Sequence, residues 1–263
     1  MLCSQQRNLK TTMSVRSAPY AVAMRGPAVL RGSSRVVTPA PRSVRAYAGK
    51  PTLMYFSIPG RAEVARLCFM MGGIDFEDKH IDFATWPELK PQTPFGQVPV
   101  LQVDSQMIAQ SSAIDRYAAT LAGLVSADPL AAALADQAYA FVEDILQVLV
   151  PTFRIKDPEE QKKARQELAE GPLKEKLALL NKLVESRPGK YLTGDSLSLG
   201  DLAVFNNLSM LRSGAMSGVP TDVVESFPAL KSFRNDIASL PEVSAHYAKA
   251  QDETRKNGYT PDV

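Results

Sequence analysis

Apolar and polar positions alternate at two different periods along this chain, and the change between them divides it. Thr52-Leu53-Met54-Tyr55-Phe56 is a short apolar, aromatic run of the kind that forms a strand. Ser57-Ile58-Pro59-Gly60 breaks it. Val64, Leu67, Cys68 and Met71 then recur at helical spacing, which predicts a helix over 61–71, ended by Gly72-Gly73. Residues 76–81 read as a second strand, 82–94 as irregular polar chain, and 100–103 and 107–109 as two further strands joined by a tight turn at Asp104-Ser105. A helix is expected from Ser111 or Ser112, with Ile114, Tyr117, Ala118 and Leu121 on one face. The order βαβ then ββα is that of a thioredoxin-like domain.

Strand signals stop after residue 124, and 125–129 reads as a linker. Helical periodicity then predicts a long helix over 130–150 and a second helical stretch over 158–183, broken at Gly171-Pro172. An apolar helix is expected over 199–216, and two shorter ones over 228–240 and 241–249. Ser198 and Asp201 stand three apart before that apolar helix, with Leu197 and Leu202 beside them. This is capping-box spacing, with Asp in place of Glu. The expected fold is an α/β thioredoxin-like domain over 51–124 followed by an all-α bundle over 130–250, with 251–263 a C-terminal tail.

Composition adds a leader. Residues 1–48 hold seven Arg, one Lys and no acid, and the first acidic residue is Glu63. Rich in Arg, Ser, Ala and Pro and without a continuous apolar stretch, this segment has the make-up of an organelle transit peptide. Ser43 to Ala48 resembles a processing site. The plastid is the expected destination, with the mitochondrion as alternative and a merely disordered basic tail as the plain reading. Removing those eight cations from the 30 in the chain leaves 22 against 28 acids. The body is therefore mildly acidic and offers no nucleic-acid footprint. No run approaches the length of a membrane span. Two cysteines, Cys3 in the leader and Cys68 on a helical stripe, exclude a disulfide framework, a CxxC redox pair and a cysteine-based zinc site. His80 and His246 have no ligand-like spacing, and no metal is expected.

The chemistry concentrates around Pro94-Phe95-Gly96-Gln97-Val98-Pro99. A cis bond at Val98-Pro99 would leave the Val98 amide and carbonyl facing outward, able to pair with the backbone of a bound peptide. An ordinary turn before a strand is the alternative. Gln110-Ser111 falls where a strand hands over to a helix, whose free N–H groups suit a carboxylate, although a plain N-cap explains Ser111 equally well.

Taken with Tyr55-Phe56, Gly60-Arg61-Ala62-Glu63, Trp86-Pro87-Glu88-Leu89-Lys90 and Gln110-Ser111-Ser112-Ala113-Ile114, these residues resemble the cytosolic glutathione S-transferases. The nearest likeness is to the sigma class, which includes glutathione-dependent prostaglandin D synthases. The resemblance is sharp over 51–121 and loose beyond. It implies that glutathione is the co-substrate, bound by Val98 and Pro99 through the cysteine backbone, by Gln110 and Ser111 at the γ-glutamyl carboxylate, and by Trp86 and Lys90 at the glycine end. Gly96 and Gln97 would line the same groove.

It also implies that Tyr55 is catalytic. A free thiol is only about 3% ionised at pH 7, and a phenol hydrogen bond favours the thiolate. Arg61 would support the tyrosine across its ring face and by charge. Ile58-Pro59 departs from the family pattern, where a polar residue and an additional arginine are common. Glu143 or Asp144 is the acid expected to reach the glutathione amine of a neighbouring subunit in a homodimer. Phe153 and Arg154 are candidates for the wall of a hydrophobic electrophile site on the linker-side face of the first two helices of the bundle. The reading is conjugation of glutathione to such electrophiles. A non-catalytic ligand-binding relative and a lipid isomerase or peroxidase are the alternatives. A disulfide-exchange enzyme is disfavoured, because no cysteine occupies the thiol position.

Overall fold

The computed structural model describes residues 49–262; the leader and its expected processing site lie outside these residues. Strand β1 (Thr52–Phe56) pairs in parallel with β2 (Glu77–Ile81) and antiparallel with β3 (Val100–Val103), which pairs antiparallel with β4 (Gln106–Ala109). The sheet order is β2-β1-β3-β4. A 3-10 turn over Gly60–Ala62 leads into α1 (Glu63–Met71). That helix stops at Gly72-Gly73 as expected. Gly73 takes φ +60° and the Ile74 N–H returns to the Phe69 carbonyl at 2.9 Å, which satisfies the end of the helix.

Residues 82–94 are not irregular. They contain α2 (Trp86–Leu89) and a 3-10 turn over Lys90–Gln92. Two prolines masked the helical signal, but Pro87 and Pro91 occupy first-turn positions, where a missing N–H costs nothing. Helix α3 (Ser111–Leu121) completes the first domain.

Asp128 caps α4 (Pro129–Leu149) by accepting the N–H groups of Leu130 and Ala131. The predicted break at Gly171-Pro172 separates α5 (Pro158–Glu170) from α6 (Pro172–Glu185). Helix α7 (Leu199–Arg212) is buried nearly all round, as its composition predicts. Its capping box forms, and the Asp201 carboxylate also accepts the Leu192 N–H at 2.8 Å. A β-carbon on Gly200 would come within 2.6 Å of the Ala135 carbonyl oxygen, so glycine here lets α7 lie directly on α4. The helix ends at Arg212 rather than 216, because Gly214 turns the chain with φ +78°.

Helices α8 (Pro228–Ala238) and α9 (Pro241–Tyr247) follow. The expected C-terminal tail is instead a helix, α10 (Glu253–Tyr259), capped by Asp252. Fully buried Tyr259 explains the difference. Its ring lies 5.8 Å from Phe205 and 4.8 Å from Tyr247, and its hydroxyl donates to Asn206 at 2.7 Å. Burying such a ring stabilises by about 1.5–3 kcal/mol, enough to order a short amphipathic segment.

Candidate functional site

Two cavities meet at the edge of the sheet where β1 and β4 end and β3 begins, facing the helical domain. The first is a polar cleft of about 590 Å³. Its lining includes eight of the predicted residues: Arg61, Trp86, Gly96, Gln97, Val98, Pro99, Gln110 and Ser111. The second is an apolar cavity of about 380 Å³. Arg61 borders both. Both volumes lie within or near the range of small-molecule sites.

The Val98–Pro99 bond is cis. Among the described residues the Val98 amide and carbonyl have no backbone partner, so both stay open to a strand-like ligand. Gly96 turns the chain just before it with φ +61°, and the aliphatic part of Lys90 lies behind that turn. Lys90 thus packs its stem against Gly96, a residue that lines the cleft. Trp86 does line it, held edge-on to Phe56 with ring centroids 6.1 Å apart.

Gln110 caps α3 with φ 73° and ψ 118°, an unfavourable conformation for a residue with a β-carbon. Its carbonyl accepts the N–H groups of Ala113 and Ile114, while those of Ser111 and Ser112 have no such partner among the described residues. These free donors and the positive end of the helix make a carboxylate-sized anion site.

Tyr55 is only 8% exposed and borders the apolar cavity rather than the polar cleft. Its hydroxyl oxygen accepts the Arg61 N–H at 3.3 Å, which places it at the seam between the two spaces and leaves its proton free to donate. The Arg61 guanidinium does not cover the Tyr55 ring. It turns across the cleft to Glu143 at 2.7 Å, and the cation over the ring is Arg66, 5.9 Å from the centroid. Partly exposed, the Arg61–Glu143 pair contributes at most about 1 kcal/mol and can open for a ligand.

Of the acidic pair, Glu143 lines this chain's own cleft, whereas Asp144 is exposed, 3.9 Å from Lys176. The apolar cavity lies at the end of α4 remote from the linker, against α7, and not on the linker-side face. Phe153 borders it with Leu146, Leu149, Met210 and Met216, whereas Arg154 does not. The positions that sequence reasoning missed include Phe56, Ser112 and Gln147 in the cleft and Thr254 in the apolar wall. Ser112 adjoins a predicted residue, but nothing local marks Thr254.

Beneath the cleft, Asp115 of α3 is 1% exposed. Tyr139 donates to its Oδ2 at 2.7 Å, while Oδ1 has no close partner among the described residues. Burial pushes its carboxyl up to about 8. The Tyr139 hydrogen bond opposes this, and the Glu143 charge reinforces it.

Comparison with known proteins places this geometry in context. Residues 51–120 match the family described as Glutathione S-transferase, N-terminal domain, and 143–250 the one described as Glutathione S-transferase, C-terminal domain. Glutathione S-transferase 1 of Ascaris suum is 32% identical over 200 residues, covering 75% of this chain and 95% of the relative. Hematopoietic prostaglandin D synthase of Gallus gallus is 32% identical over 197 residues, covering 75% and 94%. The crystal structure of the glutathione S-transferase from Ascaris lumbricoides superposes with a TM-score of 0.70 at 32% identity, covering 78% of this chain and all of that one.

Proposed function

This chain belongs to the glutathione S-transferase family, and from that premise we propose that it conjugates glutathione to apolar electrophiles, with Tyr55 holding the thiol as thiolate. The observation that carries the reading is the phenol at the seam of a polar cleft and an apolar cavity. Glutathione lies in the cleft, its cysteine backbone paired with Val98. Its γ-glutamyl carboxylate takes the free N–H groups of Ser111 and Ser112, and its amine faces Glu143. Trp86 flanks the glycine end. Lys90, packed beside Gly96, meets the same end by charge.

The sulfur then reaches Tyr55. Because the phenol oxygen accepts from the Arg61 amide, its own proton is directed to the sulfur, and the charged form is favoured. A lowering of the thiol pKa by about two units would make most of it thiolate near neutral pH and corresponds to about 2.7 kcal/mol. The thiol proton leaves to solvent. The thiolate attacks an electrophilic carbon held in the apolar cavity. A C–S bond forms, and the leaving group departs with the electron pair of the bond it breaks.

The test is Tyr55→Phe, which removes the donor and keeps the ring. Conjugation of 1-chloro-2,4-dinitrobenzene at pH 6.5 should fall about tenfold to a hundredfold in kcat/KM, with retention on glutathione resin unchanged. Unaltered turnover would remove Tyr55 from the mechanism. A second reading is favoured by the prostaglandin D synthase relative: the same thiolate would open the peroxide bond of an apolar lipid, in an isomerase of sigma-class type. Turnover of lipid endoperoxides or hydroperoxides in preference to aryl halides would select it. A homodimer and delivery to the plastid are part of this proposal.

A further inference from the structure

Helix α10 lies beyond residue 250, where the match to the family's C-terminal domain ends, yet it reaches the site from outside. Thr254 borders the apolar cavity. The next residue, Arg255, donates to both oxygens of Glu63, at 3.1 and 2.9 Å. Glu63 is fully buried at the start of α1 and also accepts the Tyr247 hydroxyl at 2.9 Å and Arg66 at 2.8 Å. Arg66 holds the loop after the catalytic strand. It donates to the Ile58 carbonyl at 2.9 Å and the Pro59 carbonyl at 3.3 Å, and lies over the Tyr55 ring. A continuous set of charged hydrogen bonds therefore runs from α10 to the loop that places the phenol.

The anchorage of α10 is specific. A β-carbon on Gly258 would come within 2.4 Å of the Ser209 carbonyl oxygen, so the helix seats on α7 only because that residue is glycine. At its far end, Arg234 donates to the Gly258 carbonyl at 3.1 Å and pairs with Asp262 at 3.0 Å. No catalytic requirement of the cleft explains two separate anchors on a terminal segment.

We infer that α10 is a positioning clamp: Arg255, acting through Glu63 and Arg66, fixes the Tyr55 loop, and Thr254 sets the size of acceptor that the apolar cavity admits. This rests on the glutathione-conjugation reading. Arg255 touches neither glutathione nor acceptor and is a positioning residue. Its loss leaves a buried carboxylate with Arg66 and Tyr247 alone, so Arg66, held on its other side by Asp78 at 2.8 Å, is drawn toward Glu63 and its hold on the loop carbonyls shifts. The Val98 and Ser111 contacts with glutathione lie in the other cavity and should be untouched.

The experiment is a kinetic comparison of full-length variants over pH 5.5–8.5, with 1-chloro-2,4-dinitrobenzene as the small acceptor and a bulkier aryl or lipid electrophile as the large one. Arg255→Leu should lower kcat/KM about tenfold and move the thiol limb of the pH profile up by about one unit. KM for glutathione should stay within twofold of the parent. Arg255→Lys should restore part of the shift. Gly258→Ala, remote from both substrates, should reproduce it by lifting the helix. Thr254→Phe should raise KM for the large acceptor severalfold and not for the small one, and Lys256→Ala should change nothing. A folded Arg255→Leu protein with the parental pH profile and acceptor KM would overturn the inference. If that variant does not fold, Arg255→Lys and Thr254→Phe with parental kinetics would do the same. A parent that neither binds glutathione resin nor turns over would instead overturn the underlying reading.

Discussion

Asp115 offers a quantitative test of how this core is built. Buried within the first domain's helical layer, it has one oxygen satisfied by Tyr139 and one without a close partner among the described residues. Its carboxyl is raised to about 8 in the folded protein, whereas an unfolded chain gives about 3.9. Between those values the native state holds a proton that the unfolded state has released. Stability from this group is therefore fully present below about pH 4 and is lost as pH rises toward 8. The slope is about 1.4 kcal/mol per pH unit, or close to 3 kcal/mol between pH 5.5 and 7.5. Asp115→Asn keeps the shape and removes the titration. Urea unfolding at a fixed protein concentration, repeated at half-unit steps of pH, should show the variant gaining on the parent by that amount and levelling off above pH 8. Parallel stability curves for the two proteins would mean that Asp115 is already ionised in the native state, and the burial argument would fail.

Asp201 accepts the N–H groups of Ser198 and Leu192 and the Ser198 hydroxyl; Asp201→Ala should cost about 1–3 kcal/mol for each donor left buried, read as a large fall in Tm with little change in KM for glutathione. Gln110→Gly should relieve the positive-φ strain, with stability unchanged or raised by up to about 1 kcal/mol, while the loss of its side chain from the cleft raises KM for glutathione severalfold, measured by calorimetric unfolding and steady-state kinetics. Glu63 is held below the usual carboxylate range: burial opposes ionisation, but Arg66 and Arg255 outweigh it. Its contribution is present at neutral pH and is lost as pH falls through its folded value, so Glu63→Gln should be markedly less stable than the parent at pH 7 and should narrow that gap on acidification below about pH 4.

The first domain was legible because its signals are local. The strand beginning at Thr52, the glycine pair ending α1 and the proline loop each carry their own geometry in a few residues. The cleft followed from them, since its walls come from strand ends and loops whose order fixes their meeting place. What sequence could not supply was long-range. The resemblance put Arg61 over the Tyr55 ring, and only the path of α1 shows that Arg66 lies there while Arg61 crosses to Glu143. Residues 251–262 look like a tail because one Asp cap and one tyrosine are a weak helical signal; the energy that orders them comes from Phe205, Tyr247 and Glu63, distant in sequence. The apolar cavity sits at the end of α4 remote from the linker for the same reason, since α7 and α10 decide which end is enclosed.

Among the described residues β2 has no strand on its far side, and it carries Glu77, Asp78, Lys79 and His80, all exposed. A second chain adding itself there would have to strip water from four polar groups in succession, two of them already engaged with Arg66 and Thr52. The outer margin of the domain is thus a polar edge of the kind that disfavours edge-to-edge pairing.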